Sequence, residues 1–204
     1  MEFSYDSNNP TNGILWYLYN NPQIVYSSTV FTKATSEISG GHSSRYAIDF
    51  NSNLYWTAIS GKPPGEYITI STVFPISLKG YLIQTSNLGP NSCHPKVWAF
   101  ASSKDGINFV NNQTFEDTEG QMNDALRFQY VPFHCRMHKF FRISVTGISY
   151  CNENRIDLNQ AEFFGTLHEN TCFCDNSKKK KKKFHPRVEP QLEIATPNMT
   201  RQDF

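Results

Sequence analysis

Apolar and polar residues alternate over several short stretches of the chain. In residues 67–73 the sequence Tyr-Ile-Thr-Ile-Ser-Thr-Val has the alternation of a half-buried β-strand. Further strands are predicted at 78–85, 96–102, 127–131, 140–145 and 158–167. Turn-forming residues separate them at 61–65, 87–91, 104–106 and 118–120. Short strands divided by such turns predict an all-β protein, built as an antiparallel sandwich or barrel.

The first 25 residues carry one helical pattern. The run 14–19 is too apolar to lie free in water, so we expect a short helix that packs on the main body. Pro22 disfavours helix at the residue before it and so ends the run. Thr11 or Asn12 can cap its first turn. Residues 1–25 are therefore predicted to form a helical extension of a β-sandwich at 26–168.

Charge is unevenly distributed along the chain. Residues 1–170 contain 11 Lys and Arg against 14 Asp and Glu, whereas residues 171–204 contain 8 against 4. The mildly acidic body lacks the basic character of a nucleic-acid-binding domain, so no sequence-specific nucleic-acid partner is expected. The strand pattern also ends near residue 168, and runs of like charge repel one another. Residues 169–204 are therefore predicted to be a disordered tail.

The tail contains six consecutive lysines, and three interpretations of them are open. A lysine cluster can attract anionic lipid or act as a nuclear import signal, or this run has no role. Lipid attraction would make the chain a membrane-surface binding module. The residues are Lys178, Lys179, Lys180, Lys181, Lys182 and Lys183.

The chain has five cysteines and begins without the features of a secretory signal. It also lacks the run of about 18 apolar residues that a membrane helix needs. These features predict reduced thiols and a cytoplasmic location, with a nuclear location as the alternative. A secreted domain with one or two disulfides is the competing interpretation. The cysteines are Cys93, Cys135, Cys151, Cys172 and Cys174.

Five sequence segments follow one another in an order typical of one known family. They are Asp49-Phe-Asn-Ser-Asn-Leu-Tyr-Trp-Thr57, 66–83, Lys96–Phe109 with its Lys-Asp-Gly turn, Phe140-Phe-Arg-Ile143 and Leu158–Gly165. In this order the chain resembles the coagulation factor V/VIII type C domains, also called discoidin or galactose-binding-like domains. Gly13–Leu18 and Glu162-Phe-Phe-Gly165 make it most similar to an intracellular branch from single-celled eukaryotes.

This resemblance implies a distorted antiparallel jelly-roll sandwich that binds a ligand without catalysis. The ligands it suggests are carbohydrate, phospholipid head groups or a protein surface, the last in an adaptor role. Secreted members join their N- and C-terminal ends by a disulfide, but no cysteine precedes Cys93 here. That departure argues against the extracellular roles of the family.

Two polar loops, 57–66 and 86–95, are expected at one end of the sandwich, where this architecture places its variable loops. We expect a shallow site there for carbohydrate or a protein partner, although polar loops can also be merely solvated. Trp56 and Trp98 are candidates for an aromatic platform or for the core, and the core is the favoured interpretation for both. The predicted ligand-binding residues are Trp56, Lys62, Asn91, His94 and Lys96.

The sequence contains no motif for a nucleophile elbow, a phosphate loop or a metalloprotease helix. His134-Cys135-x-x-His138 has metal-like spacing but lacks the four ligands of a structural zinc site. Paired carboxylates, as in glycoside hydrolases, are a matter of spatial arrangement and stay open. We therefore predict a non-catalytic binding module without cofactor or metal.

Overall fold

The computed structural model describes residues 1–38, 41–58 and 66–169. One helix, α1, spans Ile14–Asn20, and two 3₁₀ turns span Tyr26–Ser28 and Ser44–Ile48. The strands are β1 (Glu2–Phe3), β2 (Val30–Ala34), β3 (Trp56–Thr57), β4 (Tyr67–Thr85), β5 (Val97–Ser103), β6 (Val110–Glu116), β7 (Phe128–Pro132), β8 (His138–Val145) and β9 (Asp157–Leu167). All pairs among these strands are antiparallel.

The long strand β4 belongs to both layers of a β-sandwich. Its first half pairs with β2 on one side and β8 on the other, and β5 and β6 extend that layer beyond β8. Its second half pairs with β7 and β9, and β1 and β3 flank β9. The register with β8 shifts between Ser71 and Ile76, around Pro75, which cannot donate a ladder hydrogen bond. The chain therefore passes from one layer to the other at this bend.

Aromatic side chains from the two layers meet in the core. The ring of Tyr81 on β4 stacks on Phe100 of β5 at a centroid distance of 3.9 Å. Phe163 of β9 contacts Phe141 of β8 at 4.6 Å. Trp98 donates a hydrogen bond from its indole Nε1 to the Tyr81 hydroxyl at 2.9 Å, so its polar atom is satisfied. All five side chains are fully buried, and burying each ring contributes up to about 3 kcal/mol.

A buried carboxylate holds α1 against the outer face of β9. Glu162 Oε1 accepts hydrogen bonds from the backbone N–H groups of Leu15 and Phe163, each at 2.7 Å, and Oε2 accepts one from Trp16 at 2.9 Å. The Leu15 and Trp16 N–H groups have no partner inside the helix because they belong to its first turn. Burial raises the pKa of Glu162 to about 8, while the N–H donors act in the opposite direction by favouring the charged form.

The glycine before the helix allows this close approach. A Cβ atom on Gly13 would lie 2.6 Å from both Glu162 Cγ and the Phe163 carbonyl oxygen. Gly13 is the N-cap residue, and no side chain caps the helix locally. The expectation that Thr11 or Asn12 caps α1 is therefore wrong, because the cap comes from β9. The helix itself and its packing on the body through Ile14, Leu15 and Leu18 are confirmed.

The antiparallel sandwich predicted from the alternation pattern is confirmed, with three differences in its strands. The segments 67–73 and 78–85 form one strand instead of two. Strand β6 was missed because its sequence, Val-Asn-Asn-Gln-Thr-Phe-Glu, is largely polar. The short strands β1, β2 and β3 were also missed. The predicted disordered tail lies outside the described residues. Among those residues, no helix has both the length and the apolar character to cross a bilayer.

Cys93 and Cys151 form a disulfide, with their Cα atoms 4.6 Å apart. The prediction of reduced thiols is therefore wrong for this pair, and the competing interpretation with a disulfide holds. The bridge joins the loop before β5 to the loop before β9. Cys135 is a free, buried thiol, and burial raises its pKa. Cys172 and Cys174 lie outside the described residues.

Replacing Glu162 by alanine should strongly destabilise the protein. The change leaves three backbone N–H groups without their acceptor, each at a cost of about 1 kcal/mol or more. We expect the free energy of unfolding, measured in urea, to fall by about 3 kcal/mol or more. Glu162→Gln retains one acceptor oxygen, so its free energy of unfolding should fall by less. Equal stability of Glu162→Ala and the unchanged protein would contradict the capping role.

The disulfide can be tested by alkylating the denatured chain before and after reduction. Mass spectrometry should find two additional labelled thiols after reduction, and none in a Cys93→Ala, Cys151→Ala double variant. Reduction should lower the free energy of unfolding by about 4 kcal/mol, because the bridge closes a loop with a sequence separation of 58. An equal number of labelled thiols in both samples would rule the bridge out.

Candidate ligand-binding site

The described parts of the two predicted loops meet at the first residue of β9. Thr57 of β3 pairs with Asp157 in the sheet register. On the other side, the Asp157 backbone N–H donates to the Cys93 carbonyl oxygen at 2.7 Å. The end of β9 pairs instead with β1, so Asp157 and the first residues of the chain lie at opposite ends of this strand. Lys62 lies outside the described residues.

Two of the predicted ligand-binding side chains have no exposed surface. Trp56 is fully buried, and its indole Nε1 donates to the Ser36 carbonyl oxygen at 3.2 Å. His94 is also fully buried, with Nε2 3.1 Å from the Ser86 hydroxyl. Neither ring can stack on or bind a ligand from these positions. The structure corrects both to core residues, and for Trp56 and Trp98 it confirms the core interpretation.

Asn91 and Lys96 remain accessible in the same loop. Asn91 is exposed with a φ of 61°, and its backbone N–H donates to Asn123 Oδ1 at 2.8 Å. The Lys96 ammonium lies 5.7 Å from the centre of the Tyr150 ring, within cation–π range. These two residues form the rim of the loop end, and their contact with a ligand stays a prediction.

A polar cluster that the sequence analysis missed surrounds the start of β9. We call it the Asp157 cluster, and its members come from the 42–57 and 155–157 segments. The Arg155 Nε atom lies 3.7 Å from Asp157 Oδ1. The rings of His42 and Tyr55 are in contact at a centroid distance of 4.6 Å. The cluster consists of His42, Tyr55, Thr57, Arg155 and Asp157.

Asp157 is the least satisfied charged group of this cluster. Its side chain is 1% exposed, and neither carboxylate oxygen accepts a hydrogen bond within the described residues. Burial raises its pKa, and the Thr57 hydroxyl, the charges of Arg155 and His42 and the Cys93 backbone act against that rise. The Thr57 hydroxyl beside it also has no partner among the described residues. Buried polar groups normally find hydrogen bonds, and Thr57 and Arg155 are the neighbouring groups that can supply them to Asp157.

The other members give the cluster an accessible surface. Arg155 is 29% exposed, and His42 and Tyr55 are half-buried. Burial and the negative charge of Asp157 raise the pKa of Tyr55, so its hydroxyl stays neutral. The surface thus combines two rings, a guanidinium group and a neutral hydroxyl. One sequence feature could have indicated it, namely the charged residue within the apolar start of β9, Ile156-Asp157-Leu158.

The metal-like spacing at residues 134–138 does not bring its side chains together. His134 is exposed, Cys135 is buried, and His138 Nδ1 lies 2.8 Å from the Ser102 hydroxyl. Among the described residues, one group of three side chains has metal-ligand proximity, formed by Cys93, Cys151 and Glu153. Its two sulfur atoms are joined in the disulfide and are not thiolates.

Solved structures that resemble this sandwich include carbohydrate-binding modules and an F5/8 type C domain. One is CBM32-3 from a family 31 glycoside hydrolase of Clostridium perfringens, with a TM-score of 0.58, 18% identity, and 69% of this chain and 93% of that chain covered. Another is the F5/8 type C domain of a Bacteroides fragilis protein, with a TM-score of 0.55, 12% identity, and 69% of this chain and 93% of that chain covered. The fold is that of the F5/8 type C domains.

A third similar structure was solved with a sugar bound. It is the family 32 module of Clostridium perfringens NanJ in complex with galactose, with a TM-score of 0.53, 18% identity, and 67% of this chain and 94% of that chain covered. At these identities the likeness establishes the fold. No protein-family model matches the chain. No curated protein resembles its sequence significantly.

Replacing Asp157 by asparagine should stabilise the fold. The variant removes a buried charge without hydrogen bonds, and we expect a gain of about 1 kcal/mol in unfolding free energy at neutral pH. Because the folded-state pKa is raised, the carboxyl takes up a proton as pH falls through that value, and the penalty disappears. The gain should therefore shrink as pH falls towards the ordinary value of 3.8.

Asp105→Asn is the matched control, for which we expect the opposite change in unfolding free energy. Asp105 accepts hydrogen bonds from the backbone N–H groups of Ile107 and Asn108 and from the Ser103 hydroxyl, and these lower its pKa. Its replacement should lower the stability at neutral pH. Loss of stability in both variants would show that Asp157 is satisfied in the folded protein.

Proposed function

We propose that this chain is a non-catalytic module that binds a carbohydrate at the Asp157 cluster. The observation that carries the proposal is the accessible side of this cluster, where Arg155, 29% exposed, lies with the half-buried rings of His42 and Tyr55. A sugar offers neighbouring hydroxyl groups that both donate and accept hydrogen bonds. They can accept from the Arg155 guanidinium group, against which the buried Asp157 carboxylate lies at 3.7 Å.

The ring side chains suit the rest of a sugar. A pyranose has an apolar C–H face, and Tyr55 and His42 supply two rings in mutual contact beside the charged pair. Accessible Asn91 and Lys96 extend polar groups along the same loop end. The galactose complex of the structurally similar NanJ module supports a carbohydrate as the ligand class.

Carbohydrate binding at this site involves no chemical reaction. The carbohydrate-binding modules that share the fold come from enzymes but are their binding parts. Charged and hydrogen-bonding groups at the Asp157 cluster recognise hydroxyls, and the proposal assigns them no nucleophile or general acid. The predicted protein partner and adaptor role remain alternatives for the same loop end.

Two other sequence predictions stay predictions. Anionic-lipid binding by Lys178–Lys183 concerns residues outside the described part of the chain. The cytoplasmic or nuclear location is equally open, although disulfides such as Cys93–Cys151 persist mainly in oxidising compartments.

A glycan array with the full chain and its Arg155→Ala variant tests the proposed site. We expect binding to one family of sugars, and a loss of affinity of about tenfold or more in the variant, because a charged hydrogen-bond donor is removed. Arg136→Ala is the matched control, since this exposed arginine lies beside Thr166 at the other end of β9. Unchanged sugar binding by Arg155→Ala would exclude the Asp157 cluster as the site.

A further inference from the structure

A groove runs along α1, on a part of the chain that the proposed function does not use. Its volume is about 540 Å³, within the range of small-molecule sites. Helix α1 contacts β9 at Glu162, five residues from Asp157 and thus about 17 Å away along the strand. The groove is therefore distinct from the Asp157 cluster. Its lining residues are Phe3, Asn12, Trp16, Tyr17, Asn20, Asn21, Pro22 and Gln23.

The lining combines aromatic rings with carboxamides and has no charged side chain. Four of the eight lining residues are Asn or Gln, and three are aromatic. The spacing of residues 16 and 20 places an indole and an amide on one face of the helix. Asn12, just before the helix, lines the same groove. Each carboxamide offers both a donor and an acceptor. A neutral ligand rich in hydroxyl groups and with an apolar face fits such a lining better than a charged one.

Parts of this lining are held in place by the fold. The Trp16 ring meets the edge of Phe50 at 5.0 Å and stacks on Tyr19 at 6.1 Å. Asn21 Nδ2 donates to the Tyr17 hydroxyl at 2.9 Å, and the Phe3 ring contacts Tyr17 at 5.2 Å. The two central rings of the groove therefore do not need to be ordered by a ligand, which favours binding.

Other parts of the lining are unused. The exposed side chains of Asn12 and Gln23 have no hydrogen-bond partner within the described residues. Asn20 donates through Nδ2 to the Trp16 carbonyl oxygen at 2.9 Å, which leaves its own carbonyl oxygen to accept. Burial, a hydrogen bond to Glu169 and the charge of Glu169 raise the pKa of Tyr17, so its hydroxyl stays neutral. The Glu169 carboxylate beside this lining residue disfavours an anionic ligand. The groove thus presents rings at its centre and free amides along its edges.

We propose that the groove formed by α1 and the segments beside it is a second binding site, for a neutral saccharide. The rings of Trp16 and Tyr17 contact the C–H face of the sugar, and Asn12, Asn20 and Gln23 hydrogen-bond to its hydroxyl groups. This site is independent of the Asp157 cluster and would make the module bivalent. Two sites on one module can raise the apparent affinity for a polymeric ligand well above that of either site.

The three tryptophans allow this site to be observed separately. Trp56 and Trp98 are fully buried, and their indole N–H groups are bonded to Ser36 and Tyr81. Trp16 is the half-buried one of the three. In a ¹H–¹⁵N spectrum of the full chain, the Trp16 indole signal is assigned by its loss in Trp16→Phe. We expect lactose, cellobiose or chitobiose titrations to shift this signal saturably.

Variants separate the groove from the proposed site. The Trp16 shift should persist in Arg155→Ala, a variant that removes the guanidinium group of the Asp157 cluster. In a double variant, Asn12→Ala with Gln23→Ala, the Kd obtained from the Trp16 titration should rise about tenfold, because two hydrogen bonds are lost. Gln113→Ala, an exposed amide on β6, is the matched control and should leave the shift unchanged.

Three outcomes distinguish the second site from the Asp157 cluster, and two of them would overturn the second site. If no neutral disaccharide shifts the Trp16 signal while Arg155 variants still change glycan-array binding, the groove is not a sugar site and the proposed function stands. If the Trp16 shift survives in Arg155→Ala and array binding is insensitive to Arg155, the groove stands and the Asp157 cluster fails. A shift with uncharged peptides but not with sugars would identify the groove as a peptide site and refute this proposal.

Discussion

Strand β4 is the constraint on which the rest of the sandwich depends. Because one continuous strand from Tyr67 to Thr85 supplies a central position in both layers, the pairing of each layer fixes the other. Tyr81 on this strand then brings the layers together, through its stack with Phe100 and its hydrogen bond from Trp98. A slip of one residue in β4 would turn Tyr81 out of the core and break both contacts at once. The register of β9, and so the position of Asp157, follows from the same strand.

Strand β9 carries two buried carboxylates with opposite roles. Glu162 accepts three backbone N–H groups, and its burial is offset by the helix that it holds. Asp157, 1% exposed, has no such donors among the described residues. Selection for stability alone would favour an apolar residue at Asp157, as at its neighbours Ile156 and Leu158. Asp157 instead lies against Arg155, the accessible cation of the binding site that we propose.

The sequence allowed the sandwich, the helical extension and the core role of Trp98 to be predicted, because local alternation and apolar runs directly reflect burial. The Cys93–Cys151 pairing could not be predicted from the sequence, since cysteine connectivity depends on which loops meet in space. The Asp157 cluster was missed for the same reason, because His42 and Arg155 are far apart in the chain. Trp56 follows a turn and was therefore also named as a ligand-binding candidate, although the core was favoured, and its pairing with Leu158 places it inside. Local signals were thus sufficient for the elements and insufficient for the site.

The distance in sequence between α1 and its cap also affects how the chain is made. The Leu15 N–H and the Glu162 carboxylate are separated by 147 positions. At about 5–20 residues per second, a ribosome needs roughly 7 to 30 s to add that length of chain. Until then the apolar side chains of Ile14, Leu15 and Leu18 lack the surface that β9 gives them. Helix α1 therefore completes its packing only after β9 has been synthesised, and a nascent chain that ends before β9 exposes these three side chains.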